Sequence, residues 1–106
     1  MGAIANKSTP LHPTYPGEIL KDEIEFRGIS QRKLAAQIGM SYTMLNEILN
    51  LKRPVNTEFA LLIEAALGLD PEMLVNLQTR YNLQMARAYK SLAERFDQIR
   101  KLSAML

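Results

Sequence analysis

Residues 30–56, SQRKLAAQIGMSYTMLNEILNLKRPVN, hold two helical patterns of eight to ten residues that meet at a single glycine, Gly39. Ser30 is a good N-cap for the first, which carries Leu34, Ala35 and Ile38 at helical spacing. Ser41 caps the second, whose inward residues are Leu45, Ile48 and Leu49. Gly39 can take the left-handed backbone of a tight turn with no Cβ to clash. Ala35 is small enough for the second helix to cross closely over the first, while Met40 and Leu45 fill the space between them. That leaves Tyr42, Thr43, Met44, Asn46, Glu47 and Asn50 on the outside.

The rest of the chain is punctuated in the same way. Pro16 suits a first helical position and Gly28 a helix end. Ile19, Leu20 and Ile24 would supply the buried face of that helix, with Phe26 as a further candidate. Asn56 caps a fourth helix carrying Phe59, Leu62, Ile63 and Ala66 up to Gly68, and Asp70-Pro71 opens a fifth through Met73, Leu74 and Leu77. No segment alternates with period two, so an all-α fold is expected. Residues 1–15, with Pro10 and Pro13 and little periodicity, read as an arm that is extended or disordered on its own. Residues 16–83 then form a five-helix domain and residues 84–106 a C-terminal helical extension.

In that extension Met85, Tyr89, Leu92, Phe96, Ile99 and Leu106 follow a heptad seam, with Ser103 its one polar member. Neither Gly nor Pro interrupts residues 72–106, although Asn82 could cap a new helix start. So long a helix cannot bury its whole apolar stripe on the five-helix domain. Met85, Tyr89, Leu92, Phe96 and Ile99 are therefore expected to form a dimer or partner interface. The alternatives are a tail folded back on its own domain or one that awaits a different partner.

Composition removes several classes of function. Cys is absent and the single His, His12, lies in the proline-containing arm, which excludes thiol chemistry and argues against a protein-only zinc site. Asp22, Glu23 and Glu25 spread over an exposed helix face with no nucleophile or glycine loop beside them, so neither catalysis nor a cofactor is expected. No apolar run approaches the roughly 20 residues that span a bilayer, and no signal-peptide pattern opens the chain. A cytoplasmic protein without a membrane partner is expected. Formal net charge is +2, but residues 30–53 carry +3, from Arg32, Lys33, Lys52 and Arg53 against Glu47. Residues 85–106 also carry +3, whereas residues 54–84 carry −3. Such segregation suits an anionic partner.

Two short helices joined by a tight glycine turn form a helix-turn-helix, whose second helix can enter the major groove of double-stranded DNA. The exposed positions are then the ones that reach base edges. Thr43 can offer a hydroxyl, or a methyl to thymine, and Glu47 can accept from cytosine N4. Tyr42 can read a base or bond a phosphate, Met44 can make an apolar contact, and Asn46 and Asn50 share the same face. Gln31 and Ser41, at helix N-termini, and Lys52 and Arg53 after the second helix lie where phosphates pass. A polar outer face is also usual for any surface helix. It is the combination with the Ser-Gln start, the Gly-x-Ser turn and the basic pair that favours DNA.

The segments PGEILKDEI, GISQRKLAAQIGMSYTMLNEILNLKRPV and FALLIEAALGLDPEMLVNLQTRYNL resemble the HigA-type antitoxins, a branch of the phage-repressor-like helix-turn-helix family. The likeness runs from about His12 to Leu83. It implies a five-helix repressor domain, a homodimer on a palindromic operator, and a cognate toxin of the small, ribosome-dependent, mRNA-cleaving ribonuclease type. A stand-alone repressor without a toxin, and a protein-interaction module without DNA binding, are the alternatives. One position departs from the family pattern, which commonly has Gly after the Asn that ends the recognition helix. Here Leu51 follows Asn50, and Leu in a left-handed conformation costs roughly 1 kcal/mol or more. Either the helix runs one or two residues further or Leu51 is buried in an altered turn.

Overall fold

The computed structural model describes residues 14–106. Six helices follow in chain order: α1 Pro16–Arg27, α2 Gln31–Ile38, α3 Tyr42–Leu49, α4 Thr57–Leu67, α5 Pro71–Ala88 and α6 Lys90–Ser103. No strand occurs among the described residues, so the fold is all-α as the periodicity predicts. Residues 14–79 form one compact unit, and residues 80–106 belong to another. Of the expected arm, residues 1–15, residues 1–13 with His12 lie outside the described residues.

The helix starts are where the capping residues place them. Ser30 Oγ accepts from the Lys33 N–H at 3.3 Å, Ser41 Oγ from Met44 at 3.1 Å, and Asn56 Oδ1 from Phe59 at 2.8 Å. Asp70 Oδ1 accepts from the Glu72 N–H at 3.0 Å, one residue into α5. Each bond satisfies a donor that a helix N-terminus otherwise leaves without an intrahelical partner.

One core closes the first unit. Leu20 and Ile24 from α1 meet Leu34 and Ala35 from α2, and Leu45, Ile48 and Leu49 from α3. Val55, the α4 residues Phe59, Ala60 and Ile63, and Leu74 from α5 complete it. α3 packs on both α1 and α2, and α2 also on α4, so the second helix of the hairpin is held from two sides. Phe26 does not join this core: it is 89% exposed. It lies two positions beyond Ile24, about 200° around a helix of 3.6 residues per turn, and so faces away from the core. Ile19 is only half-buried.

Tyr15, placed in the arm by its prolines, is instead a core residue, 2% exposed. It precedes Pro16 in extended backbone, and its hydroxyl donates to the Arg53 carbonyl oxygen. Gly17 makes that arrangement possible. A Cβ there would collide with the Ile48 carbonyl oxygen and lie 2.7 Å from Cε2 of Tyr15, so α1 and the end of α3 approach backbone to backbone. Gln78, 6% exposed, is the buried polar side chain of this unit, and its Oε1 accepts from the Val55 N–H at 2.9 Å. Gln78→Leu keeps a side chain of similar size but strands that N–H, and should cost about 1–3 kcal/mol in urea unfolding.

The C-terminal helix does not run unbroken from residue 72. Asn82 lies inside α5, and the interruption falls at Tyr89, where φ is −70° and ψ is 119°. The Tyr89 carbonyl then opens α6 by accepting from the Ala93 N–H at 2.9 Å. The expected seam is therefore divided. Met85 lies on α5, Tyr89 in the break, and Leu92, Phe96 and Ile99 on one face of α6 at helical spacing.

Candidate nucleic-acid interface

The hairpin α2–α3 presents one exposed face and ends in a loop held from several directions. The turn between the helices is closed by Gly39 at φ 72°, with the Met40 N–H donating to the Ala35 carbonyl at 2.9 Å. On α3, Tyr42, Thr43 and Met44 are exposed, and Leu45, Ile48 and Leu49 are buried. The first turn of α3 is thus the accessible part of the helix.

The other candidate residues are engaged with one another. Asn46 Nδ2 donates to Gln31 Oε1 at 3.3 Å, tying the start of α2 to the middle of α3. Asn50 Nδ2 donates to the Asn46 carbonyl at 2.8 Å, and Asn50 Oδ1 accepts from Lys21 Nζ at 3.2 Å. Asn50 is half-buried and joins α3 to α1. Ser41 Oγ serves as the α3 cap, and its hydroxyl hydrogen remains available to a phosphate. Glu47 does not stand alone as an acceptor. Its Oε1 receives Arg53 Nη2 at 3.0 Å and Nε at 3.2 Å, across an exposed ion pair. Such a pair is worth at most about 1 kcal/mol, and the guanidinium has further N–H donors with which to meet a phosphate while it stays beside Glu47.

Leu51 does neither of the things expected of it. The helix stops at Leu49, and Leu51 adopts φ 65° while remaining 47% exposed. The Lys52 N–H donates to the Glu47 carbonyl at 2.8 Å, closing a glycine-type helix end without glycine. The loop is fixed further by the Arg53 carbonyl, which accepts from the Tyr15 hydroxyl. Lys52 and Arg53 themselves are exposed.

Three contributors escaped sequence reasoning. Arg32 lies with its guanidinium carbon 4.4 Å from the Tyr42 ring centroid, adding a cation beside the exposed face. Lys21 is brought to Asn50, and Tyr15 to Arg53. Only Arg32 had a signal, as one of the four cations of residues 30–53; the other two depend on long-range contact.

Comparison with known proteins agrees with this geometry. The helix-turn-helix family matches residues 20–74. The chain belongs to the helix-turn-helix family. Virulence-associated protein I of Dichelobacter nodosus is 35% identical over 77 residues, which is 72% of this chain and 71% of that protein. A HigA-family addiction module antidote protein from Coxiella burnetii superposes with a TM-score of 0.73 at 30% identity, covering 83% of this chain and 95% of that one. The Pseudomonas aeruginosa antitoxin HigA, solved with the higBA promoter, gives a TM-score of 0.69 at 29% identity, over 83% of this chain and 91% of that one. Within the helix-turn-helix family the chain is of the HigA antitoxin type.

Proposed function

We propose that this helix-turn-helix protein is a sequence-specific DNA-binding antitoxin that represses its own operon as a homodimer and binds a cognate toxin. The observation that carries the DNA reading is the exposed first turn of α3, Tyr42, Thr43 and Met44, together with the exposed cations Lys52 and Arg53 on a loop whose backbone is held by Glu47 and Tyr15. Thr43 and Tyr42 read bases, and Lys52, Arg53, Gln31 and Ser41 hold the phosphates. Glu47 acts first on Arg53 and only then on a base. The role is one of binding, without catalysis, and it is exercised in the cytoplasm. No helix among the described residues is long and apolar enough to cross a membrane. A footprint of the region upstream of its own gene tests this reading. Two protected half-sites about 34–36 Å apart are expected for a dimer, and an unprotected promoter argues against it.

The toxin, by family likeness a small mRNA-cleaving ribonuclease, is to be sought in the adjacent reading frame. Co-expression and pull-down with that product should recover a complex; its failure leaves a repressor without a toxin.

The dimer contact is proposed on α6. Leu92 and Phe96 are half-buried and Ile99 is 49% exposed, all three on one face. Met85 on α5 and Tyr89 in the break are exposed as well. Leu92→Asp with Phe96→Asp should give a monomer in sedimentation with the helical spectrum retained, and operator affinity should fall. A dimer that survives both substitutions places the contact elsewhere.

A further inference from the structure

Four helix ends in residues 14–68 use a left-handed residue or the position for one. Three of them, after α1, α2 and α4, have glycine: Gly28, Gly39 and Gly68, with φ of 67°, 72° and 72°. The fourth, after α3, has Leu51 at φ 65°, the one non-glycine residue with positive φ among the described residues. Glycine takes this conformation without steric penalty, whereas a γ-branched side chain does so only against a local cost.

That cost is not recovered in the core, because Leu51 remains 47% exposed. Nor is the conformation accidental. On one side Asn50 is bonded to the Asn46 carbonyl and to Lys21. On the other, the Lys52 N–H is bonded to Glu47, the Arg53 side chain to the Glu47 carboxylate, and the Arg53 carbonyl to Tyr15. The flanks hold residue 51 in place whatever its side chain. Strain that its surroundings enforce and its own packing does not repay points to a use outside the fold.

Only Asn50 separates Leu51 from the end of α3, and Leu51 is exposed immediately before the two cations, so a duplex seated on α3 and on Lys52 and Arg53 comes up against it. We propose that Leu51 makes an apolar contact with operator DNA, and that the strained leucine is retained for that contact. This rests on the DNA-binding reading given above. Hydrocarbon is scarce on a duplex. In the major groove it is the thymine C5-methyl, the single apolar group on a base edge there, and on the backbone it is the deoxyribose edge. A leucine held rigidly beside phosphate-binding cations can seat on either.

The test uses the full chain carrying Leu51→Gly, Leu51→Asn or Leu51→Met, with thermal melting and fluorescence-anisotropy titrations of promoter duplex at several salt concentrations. Gly and Asn relieve the backbone and remove the hydrocarbon, while Met keeps it. Both relieved variants should melt above the wild type yet bind about fivefold more weakly, the effect of losing part of a leucine's buried surface. Met should bind like the wild type. An apolar contact releases no counterions, so the salt dependence should keep its slope in every variant. A duplex with deoxyuridine in place of thymidine separates the two sources. Because Thr43 can also meet a thymine methyl, the deoxyuridine penalty is compared between proteins: Leu51→Gly loses less affinity than the wild type if the methyl is the partner of Leu51, and the same if the sugar is. Equal affinity of Leu51→Gly, Leu51→Asn and wild type overturns the proposal. So does a weakening accompanied by a shallower salt slope, which would mean that Lys52 and Arg53 had moved. If the wild type itself shows no preference for the promoter, the DNA reading fails first and this proposal with it.

Discussion

Replacing Lys52 and Arg53 together by alanine is expected to weaken binding to every DNA sequence, by about tenfold for each charge-assisted hydrogen bond removed. Both side chains are exposed, and their loop is held by the Lys52 N–H to Glu47 and by the Arg53 carbonyl to Tyr15. Those backbone bonds persist in the variant, so the protein should melt near the wild-type temperature. The signature lies in the salt dependence: the slope of log K against log salt should flatten by roughly 0.9 for each phosphate no longer neutralised. Arg53 contributes twice. Its removal also strips Glu47 of its partner, 3.0 Å away, and leaves a bare carboxylate facing phosphates. Arg53→Ala should therefore weaken binding more than Lys52→Ala, and adding Glu47→Gln should restore part of the difference. Equal weakening in the two single variants, with no rescue, would show that the ion pair plays no part on DNA.

Gly17→Ala should be strongly destabilising, although the usual preference of a helix for alanine over glycine is worth about 0.5–1 kcal/mol in the opposite direction. Gly17 sits within α1, where an added Cβ meets the Ile48 carbonyl oxygen and the Tyr15 ring. The carbonyl belongs to α3 backbone and cannot step aside as a side chain can. Relief requires α1 to move off α3, which opens the core around Leu20, Ile24 and Ile48 and parts the Tyr15 hydroxyl from Arg53. Overpacking of this kind costs about 1–3 kcal/mol, and the backbone contact argues for the upper end. For a domain of this size the midpoint should fall by about 10 °C or more. A midpoint equal to or above that of the wild type would mean that the two helices are not in close contact.

Much of this architecture is legible in the chain because its signals are local. Ser30, Ser41, Asn56 and Asp70 announce helix starts through bonds to residues two or three positions away, and Gly28, Gly39 and Gly68 announce the ends. What escaped is decided at a distance. Tyr15 looks like part of an arm until the Arg53 carbonyl, 38 residues on, supplies its partner. Gly17 looks like a weak helix residue until the end of α3 is set against it. Phe26 satisfies hydrophobicity but not phase, so it points outward. The break at Tyr89 involves neither glycine nor proline, and a heptad count runs through it unaware. The candidate site divides along the same line. Tyr42, Thr43 and Met44 are exposed because periodicity makes them so. That Asn50 pairs with Lys21, Asn46 with Gln31, and Glu47 with Arg53 depends on how the helices pack. Leu51 was readable as an anomaly, but the outcome was not: neighbours that hold both flanks made strain cheaper than a longer helix or a buried turn.

If the exposed turn of α3 and the Leu51–Arg53 loop together read a specific DNA sequence, the wild-type protein must distinguish its own promoter from other DNA. That is measured by a pair of equilibrium titrations, with duplex from the promoter and with a scrambled duplex of equal length, repeated across salt concentrations. A preference for the promoter of about 10³-fold or more is expected near physiological salt, with affinity for both duplexes falling linearly in log–log form as salt rises. Equal affinity for the two duplexes, or binding indifferent to salt, would contradict it.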